Sequence, residues 1–320
     1  MRIAIIGAAG HHHLAFDAMA RDPSIALVGV APGRIEEDIS PLAGRGAPFS
    51  DYRRMLDEQK PDVAVVNPWF ADAAGISIEC LGRGIHVYSE KPLATTPEDL
   101  NALDAAWRAS GRALGGMFNY RYAPWLRAME EAVGAGEIGS VRAAHGQKSY
   151  RLGVRPAFYQ KRALMGGIIP WVAIHAIDWA LHFLGGCAWV SATHSARENR
   201  GNGELEVTSA LLMGMEDGRI ATVTADFLRP TGSARHDDDR LRLTGTRGMV
   251  EGIDGRVFLE NEAPKRELPL PPSESAFLAF LSAIEAGTAE YFALDALEAT
   301  RVALAARESA DAGGTRVSIQ

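Results

Sequence analysis

The turn Gly7-Ala8-Ala9-Gly10-His11-His12 follows directly on the short apolar run Arg2–Ile6. A pyrophosphate needs a tight turn, a close backbone approach and the free N–H groups of a helix N-terminus, and a strand-to-helix turn supplies all three. The usual Gly-x-Gly-x-x-Gly spacing would put glycines where Ala9 and His12 stand, so the position of the turn after the first strand carries the reading. Gly7, Ala9, Gly10, His11 and His12 are expected to face a dinucleotide, with one imidazole available to a phosphate oxygen; a plain strand–helix turn with a solvated helix start is the alternative. The run His11-His12-His13 does not read as a metal site, because consecutive helical residues point in different directions.

A second run, Ala26–Val30, leads into Ala31-Pro32-Gly33-Arg34, where NAD-binding chains place an acid for the ribose hydroxyls. The acids here come later, at Glu36 and Glu37, so the cofactor is read as NAD(P), with Arg34 favouring the 2′-phosphate of NADP. Asn67-Pro68-Trp69-Phe70 and Glu90-Lys91-Pro92 follow the third and fourth strand signals. Asn67, Pro68, Glu90 and Lys91 are expected around the cofactor. Trp69 and Phe70 are expected either to stack on a sugar ring or the nicotinamide or to pack between the domains.

The elements that must position these groups alternate. Strands read at Arg2–Ile6, Ala26–Val30, Val63–Val66, His86–Ser89 and Leu114–Phe118, and helices at about His12–Arg21, Tyr52–Gln59, Ala73–Arg83 and Pro97–Ser110. Thr96, Pro97 and Asp99 make a well-formed start for the last helix. Repeated strand–helix–strand units imply a doubly wound parallel sheet, an α/β Rossmann domain over residues 1–120. Such a sheet binds ligands beyond the carboxyl ends of its strands.

After Arg121 the pattern changes, and residues 121–320 read as an α+β domain with a large, mostly antiparallel open sheet. Its strand signals are Val141–Tyr150, Trp189–Arg197, Leu205–Met215, Arg219–Leu228, Arg240–Thr244 and Val257–Leu259. Helices read at Ala123–Ala135, Val172–Leu184, Glu274–Ala286 and Leu294–Ala312. Thr231–Asp239, with its three consecutive aspartates, reads as a solvent loop. An open sheet leaves one face uncovered, which points to a homodimer or homotetramer formed through that face.

The chain of 320 residues has a net charge of -7, which argues against a nucleic-acid partner. No apolar run reads as a membrane span, and two widely separated cysteines, Cys80 and Cys187, read as reduced, so a cytoplasmic location is expected. No paired spacing suggests a metal.

Taken together, Glu90-Lys91-Pro92, Asn119-Tyr120-Arg121-Tyr122, Gly166-Gly167 with His175-Ala176-Ile177-Asp178, and Gly245-Thr246-Arg247-Gly248-Met249-Val250-Glu251 make the chain resemble the Gfo/Idh/MocA family. The resemblance runs along nearly the whole chain. It implies hydride transfer between a nicotinamide and a hydroxyl-bearing carbon of a sugar or cyclitol, a small-molecule substrate. It also implies that Lys91 and His175 are catalytic and that an aspartate stands at position 171, where this chain has Trp171. A cis bond before Pro92 is implied as well.

A partly desolvated lysine beside a nitrogen base suits proton removal near neutrality, and histidine can relay the proton outward. Replacing a carboxylate by an indole makes such a site drier and less charged. Asp178, three residues after His175, shares its helix face and is expected to orient it or to cap local structure. Tyr120, Arg121, Tyr159, Trp171, Trp69, Phe70 and Asp178 are the candidate pocket residues. Two other functions remain open: a nucleotide-binding regulatory protein without turnover, and an epimerase, lyase or glycosidase that uses bound cofactor transiently.

Overall fold

Four residues of the first strand, Ile3–Ile6, are completely buried, and so are all four of Val63–Val66. Strands covered on both faces in this way belong to a parallel sheet with helices on either side. The computed structural model describes residues 1–319. It contains a five-stranded parallel sheet, in spatial order β2-β1-β3-β4-β5. The strands are β1 (Arg2–Ile6), β2 (Ala26–Ala31), β3 (Val63–Val66), β4 (His86–Ser89) and β5 (Leu114–Gly116). The helices are α1 (His13–Arg21), α2 (Tyr52–Gln59), α3 (Ala73–Gly82) and α4 (Pro97–Ser110). Strand order reverses between β1 and β3, so the crevice expected to hold a ligand opens where Gly7 and Asn67 leave the sheet. At α4, Thr96 accepts from the Asp99 N–H at 3.1 Å and donates to the Asp99 carboxylate at 2.7 Å.

The chain forms two compact units, and they are not two continuous stretches as the expected division at residue 120 would have it. The first comprises Met1–Asn119, Ala163–Gly166 and Ser275–Thr300. Helix packing on β4 and β5 explains the late segment: Phe277 and Phe280 lie 5.0 and 5.1 Å from the Tyr88 ring. Gly116 leaves no room for a β-carbon beside Ala296.

The second unit, Tyr120–Arg162 with Gly167–Glu274 and Arg301–Gln320, is built on a nine-stranded sheet. Its helices are α5 (Pro124–Gly134) and α7 (Ile174–Leu184); the single turn α6 (Arg162–Met165) lies mostly in the first unit. The strands are β6 (Val141–Tyr150), β7 (Cys187–Ser195), β8 (Thr208–Met215), β9 (Ile220–Asp226), β10 (Asp237–Gly245), β11 (Met249–Ile253), β12 (Arg256–Glu260), β13 (Arg266–Leu268) and β14 (Val317–Ser318). Helices α8 (Ala276–Ala286) and α9 (Glu290–Asp311) follow β13 in the chain, and β14 closes it. The spatial order is β13-β12-β11-β10-β6-β9-β8-β7-β14, antiparallel except for the β6–β9 pair.

Three expectations are corrected here. Asp237, Asp238 and Asp239 are strand residues of β10, paired with Tyr150, Ser149 and Lys148 of β6, and Asp239 is buried. Their run of charge hid an alternation in which one carboxylate turns inward to meet a lysine. The helix read as Val172–Leu184 is preceded by a π-turn at Ile169–Ala173. Finally, Arg162–Leu184 is long and apolar enough to cross a membrane, but 94% of its apolar window is buried within the fold, as in a core helix.

Candidate active site

Gly7 leaves β1 with φ +81°, and a β-carbon there would lie 2.3 Å from the Asn67 carbonyl oxygen. Gly10 has φ +69°, and its β-carbon would stand 1.8 Å from Glu90 Oε2. Only glycine fits either place. The Ala9 N–H donates to the Asn67 carbonyl at 2.8 Å, and Asn67 Nδ2 returns a bond to the Ala9 carbonyl at 3.1 Å. Ala9 therefore serves in the loop without the expected glycine. Glu90 accepts from the His11 N–H at 2.5 Å, contacts His11 Nδ1 at 3.0 Å and accepts from the Lys91 N–H at 2.9 Å. Burial works to raise the Glu90 pKa, but His11, Lys91 and the backbone N–H hold it below the ordinary carboxylate value. Asn67, Pro68 and Glu90 thus brace the loop from behind. The N–H groups of Leu14 and Ala15 are taken by the His11 and His12 carbonyls, so the donors left for a phosphate are those of Gly10, His12 and His13 at the entry to the nine-residue α1. The cradle fits a dinucleotide.

At the ribose end, Arg34 is already engaged. Its Nε and Nη2 fork onto Asp72 at 2.6 and 2.5 Å, and its guanidinium lies 4.7 Å over the Trp69 ring. Trp69 therefore stacks on an arginine. Phe70 is only 1% exposed and serves as a packing side chain rather than an open aromatic wall. Glu37, read from the sequence only as an acid that comes late after β2, reaches back to the loop. Its two oxygens accept from the Ala8 N–H at 3.1 Å and the Gly33 N–H at 2.8 Å. Burial pushes its carboxyl up to about 7, against the pull of those N–H groups and Arg34.

Lys91 follows the carboxyl end of β4 and is fully buried, its backbone held by Glu90. The Lys91–Pro92 bond is cis.

In the second unit, His175 lies in the first turn of α7, 1% exposed, with the Tyr120 ring edge-on at 4.9 Å. The π-turn carries Trp171, so the four-residue spacing from Trp171 to His175 is not that of an unbroken α-helix. Trp171 is buried and meets Tyr159 edge-on at 6.1 Å. Asp178, expected to orient His175 or to cap local structure, takes a forked bond from Arg121, with Nη2 at 2.6 Å and Nε at 3.0 Å.

Two residues were missed here. Lys148 of β6 is fully buried, bonded to Asp239 at 2.5 Å and to the Tyr120 hydroxyl, and stands 3.7 Å over the Tyr120 ring. Burial lowers its amine to about 8, with Asp239 opposing. A lysine inside the long strand signal Val141–Tyr150 was the one visible hint. The second unit thus assembles Tyr120, Lys148, Asp239 and His175 into a polar cluster walled by Trp179, which lies 5.5 Å from Tyr120.

Comparison with known proteins identifies the family. Residues 1–118 match the oxidoreductase family with the NAD-binding Rossmann fold. Residues 126–251 match the GFO/IDH/MocA C-terminal domain. A solved structure from Thermotoga maritima, named only as an oxidoreductase, is 40% identical, covers 100% of both chains and superposes with a TM-score of 0.95. The 1,5-anhydro-D-fructose reductase of Ensifer adhaerens is 28% identical over 83% of this chain and 85% of its own length. Levoglucosan dehydrogenase in complex with NADH shares the fold at 20% identity, covering 100% of this chain and 99% of that one, with a TM-score of 0.82. With its two matched regions spanning most of its length, the chain belongs to the Gfo/Idh/MocA family of NAD-binding oxidoreductases.

Proposed function

We propose that the protein is a dehydrogenase that oxidises a hydroxyl-bearing carbon of a sugar-like or cyclitol-like substrate, with Lys91 of the first unit and His175 of the second as its candidate acid–base residues. The observation that carries this reading is the placement of Lys91. It is a fully buried amine at the carboxyl end of a parallel strand, in a turn whose preceding residue, Glu90, also anchors the dinucleotide loop. One carboxylate thereby fixes both the place for the cofactor and the place for the base. A bound nicotinamide would accept the hydride; the chain itself orients the substrate and takes up the hydroxyl proton. The reductase among the relatives, named for a sugar derivative, supports the substrate class.

The cofactor in this reading is NAD rather than NADP, reversing the preference read from the sequence. Arg34 is neutralised by Asp72, and Glu37 stands beside the loop as a carboxylate suited to ribose hydroxyls and repellent to a 2′-phosphate. The open sheet supports a homo-oligomer, since Leu212 of β8 and Ile220 of β9 are 41% and 47% exposed on its outer face. Buried thiols at Cys80 and Cys187, neither in a disulfide, fit a reducing cytoplasm.

The test is nicotinamide absorbance during incubation with NAD⁺ and a panel of hexoses, hexitols and cyclitols. Reduction with at least one of them supports the reading. Tight NAD⁺ binding with no reduction across the panel would overturn it.

A further inference from the structure

Around the second-unit cluster, three buried or half-buried cations have carboxylate partners. Arg121 has Asp178, Lys148 has Asp239 and Arg229 has Asp238. Arg155, in the segment between β6 and the 3₁₀ turn Ala157–Gln160, has none among the described residues. Its Nη2 donates to the Arg151 carbonyl at 2.8 Å, and its buried Nε meets no acceptor. Its faces are covered instead: the guanidinium lies 4.7 Å over the Phe227 ring and 5.6 Å over Tyr159. Burial accordingly lowers its pKa. Cation–π contacts satisfy the faces of a guanidinium but not its N–H edge, and a desolvated cation without a counter-ion is costly.

Arg155 also belongs to the surroundings of His175. Tyr159, beneath it, meets Trp171 edge-on at 6.1 Å, and Trp171 lies on the turn that enters α7. On the other side, Tyr150 feels the Arg155 charge and shares a hydrogen bond with Tyr120, whose ring rests against His175. With Nε buried and one Nη2 N–H given to Arg151, the donors left on Nη1 and Nη2 suit two oxygens in one plane, as on a carboxylate or a phosphate ester. The neighbouring Arg151 guanidinium is turned to the Thr231 and Ser233 carbonyls, which leaves Arg155 to balance a single negative charge and favours the carboxylate.

We propose that Arg155 receives the carboxylate of the substrate, so that the enzyme acts on a sugar acid or polyhydroxy acid rather than on a neutral sugar. This deepens the dehydrogenase reading and rests on it. The guanidinium then gains the charge-assisted partner it lacks, and the acid is turned so that a hydroxyl-bearing carbon, not the carboxylate, faces His175.

The test compares hexuronates and aldonates with the matching neutral hexoses, hexitols and hexose 6-phosphates, using the wild-type protein, Arg155→Gln and Arg155→Lys. Wild type should show kcat/KM about 10- to 100-fold higher on the acids, as for a hydrogen bond to a charged group. Arg155→Gln should bring the acid-to-neutral ratio close to one, and Arg155→Lys should leave it between the two. If the Gln variant does not fold, as judged by its thermal melt, the Lys variant alone carries the test. A wild-type preference for neutral sugars or for phosphate esters overturns the proposal, as does an acid preference that survives loss of the guanidinium. Calorimetric titration with D-glucuronate in the presence of NADH separates the two levels. Binding that Arg155→Gln abolishes, with no turnover of any compound, keeps the carboxylate site and sinks the dehydrogenase. Turnover of neutral sugars alone does the reverse.

Discussion

The carboxylate of Glu37 accepts a hydrogen bond from the N–H of Ala8, 29 residues earlier, and so ties the loop after β2 to the loop after β1. An acid in this place sits where adenosine ribose hydroxyls would meet a dinucleotide-binding sheet. NAD should bind more tightly than NADP, and Glu37→Gln should narrow the gap. Asp72→Asn, which releases Arg34 from its forked bond, should raise affinity for NADP. Fluorescence titration with both reduced nucleotides checks this. Equal affinities in wild type would contradict it.

The same carboxyl has a pH signature. Its pKa in the folded chain is raised from 4.5 to about 7. Between those values the folded state keeps a proton that the unfolded chain has lost, so the stability contributed by this group falls as pH rises through that window. Ribose hydroxyls donate best to the ionised form, so NAD affinity should rise as pH passes through about 7. Both trends should flatten in Glu37→Gln, followed by thermal melts and nucleotide titrations across the range.

Gly10→Ala forces a side chain into a backbone at φ +69° and against Glu90. Strain of this kind costs about 1–3 kcal/mol. Circular dichroism should show a folded protein whose nucleotide affinity has dropped about tenfold or more. Unchanged affinity would mean that the loop does not hold the pyrophosphate.

Much of the first unit was legible because its strands are continuous apolar runs bounded by glycine, proline and acidic turns; Val63–Val66 and Pro97–Ser110 stand where they were read. The residues whose roles escaped notice act through tertiary contacts. Glu37 lies well past the position where spacing rules look for an acid, and the loop brings it back. Asp239 is one of three consecutive aspartates, and only pairing with β6 turns it inward onto Lys148. Arg34 read as available because its partner Asp72 is 38 residues away.

Breaking the Lys148–Asp239 pair should show what it contributes. Removing one member of a buried ion pair leaves the other charged and unpaired, at a cost of about 3–5 kcal/mol. Lys148→Met should therefore lower stability by roughly that amount in urea unfolding, and a second change, Asp239→Leu, should recover much of it. A loss below about 1 kcal/mol would place the pair among the weak surface bridges, contrary to its burial.

The measurement closest to the central claim is the single-turnover rate of NAD⁺ reduction in Lys91→Ala, taken alongside its nucleotide dissociation constant. Lys91 is buried beside the braced loop but is not needed to hold it, since Glu90 makes those bonds. The rate should fall by about 100- to 10,000-fold, the usual value of a positioned acid–base group, with nucleotide affinity nearly unchanged. A variant that turns over at the wild-type rate, or one that loses nucleotide and rate in equal measure, would contradict the assignment of Lys91 to the proton.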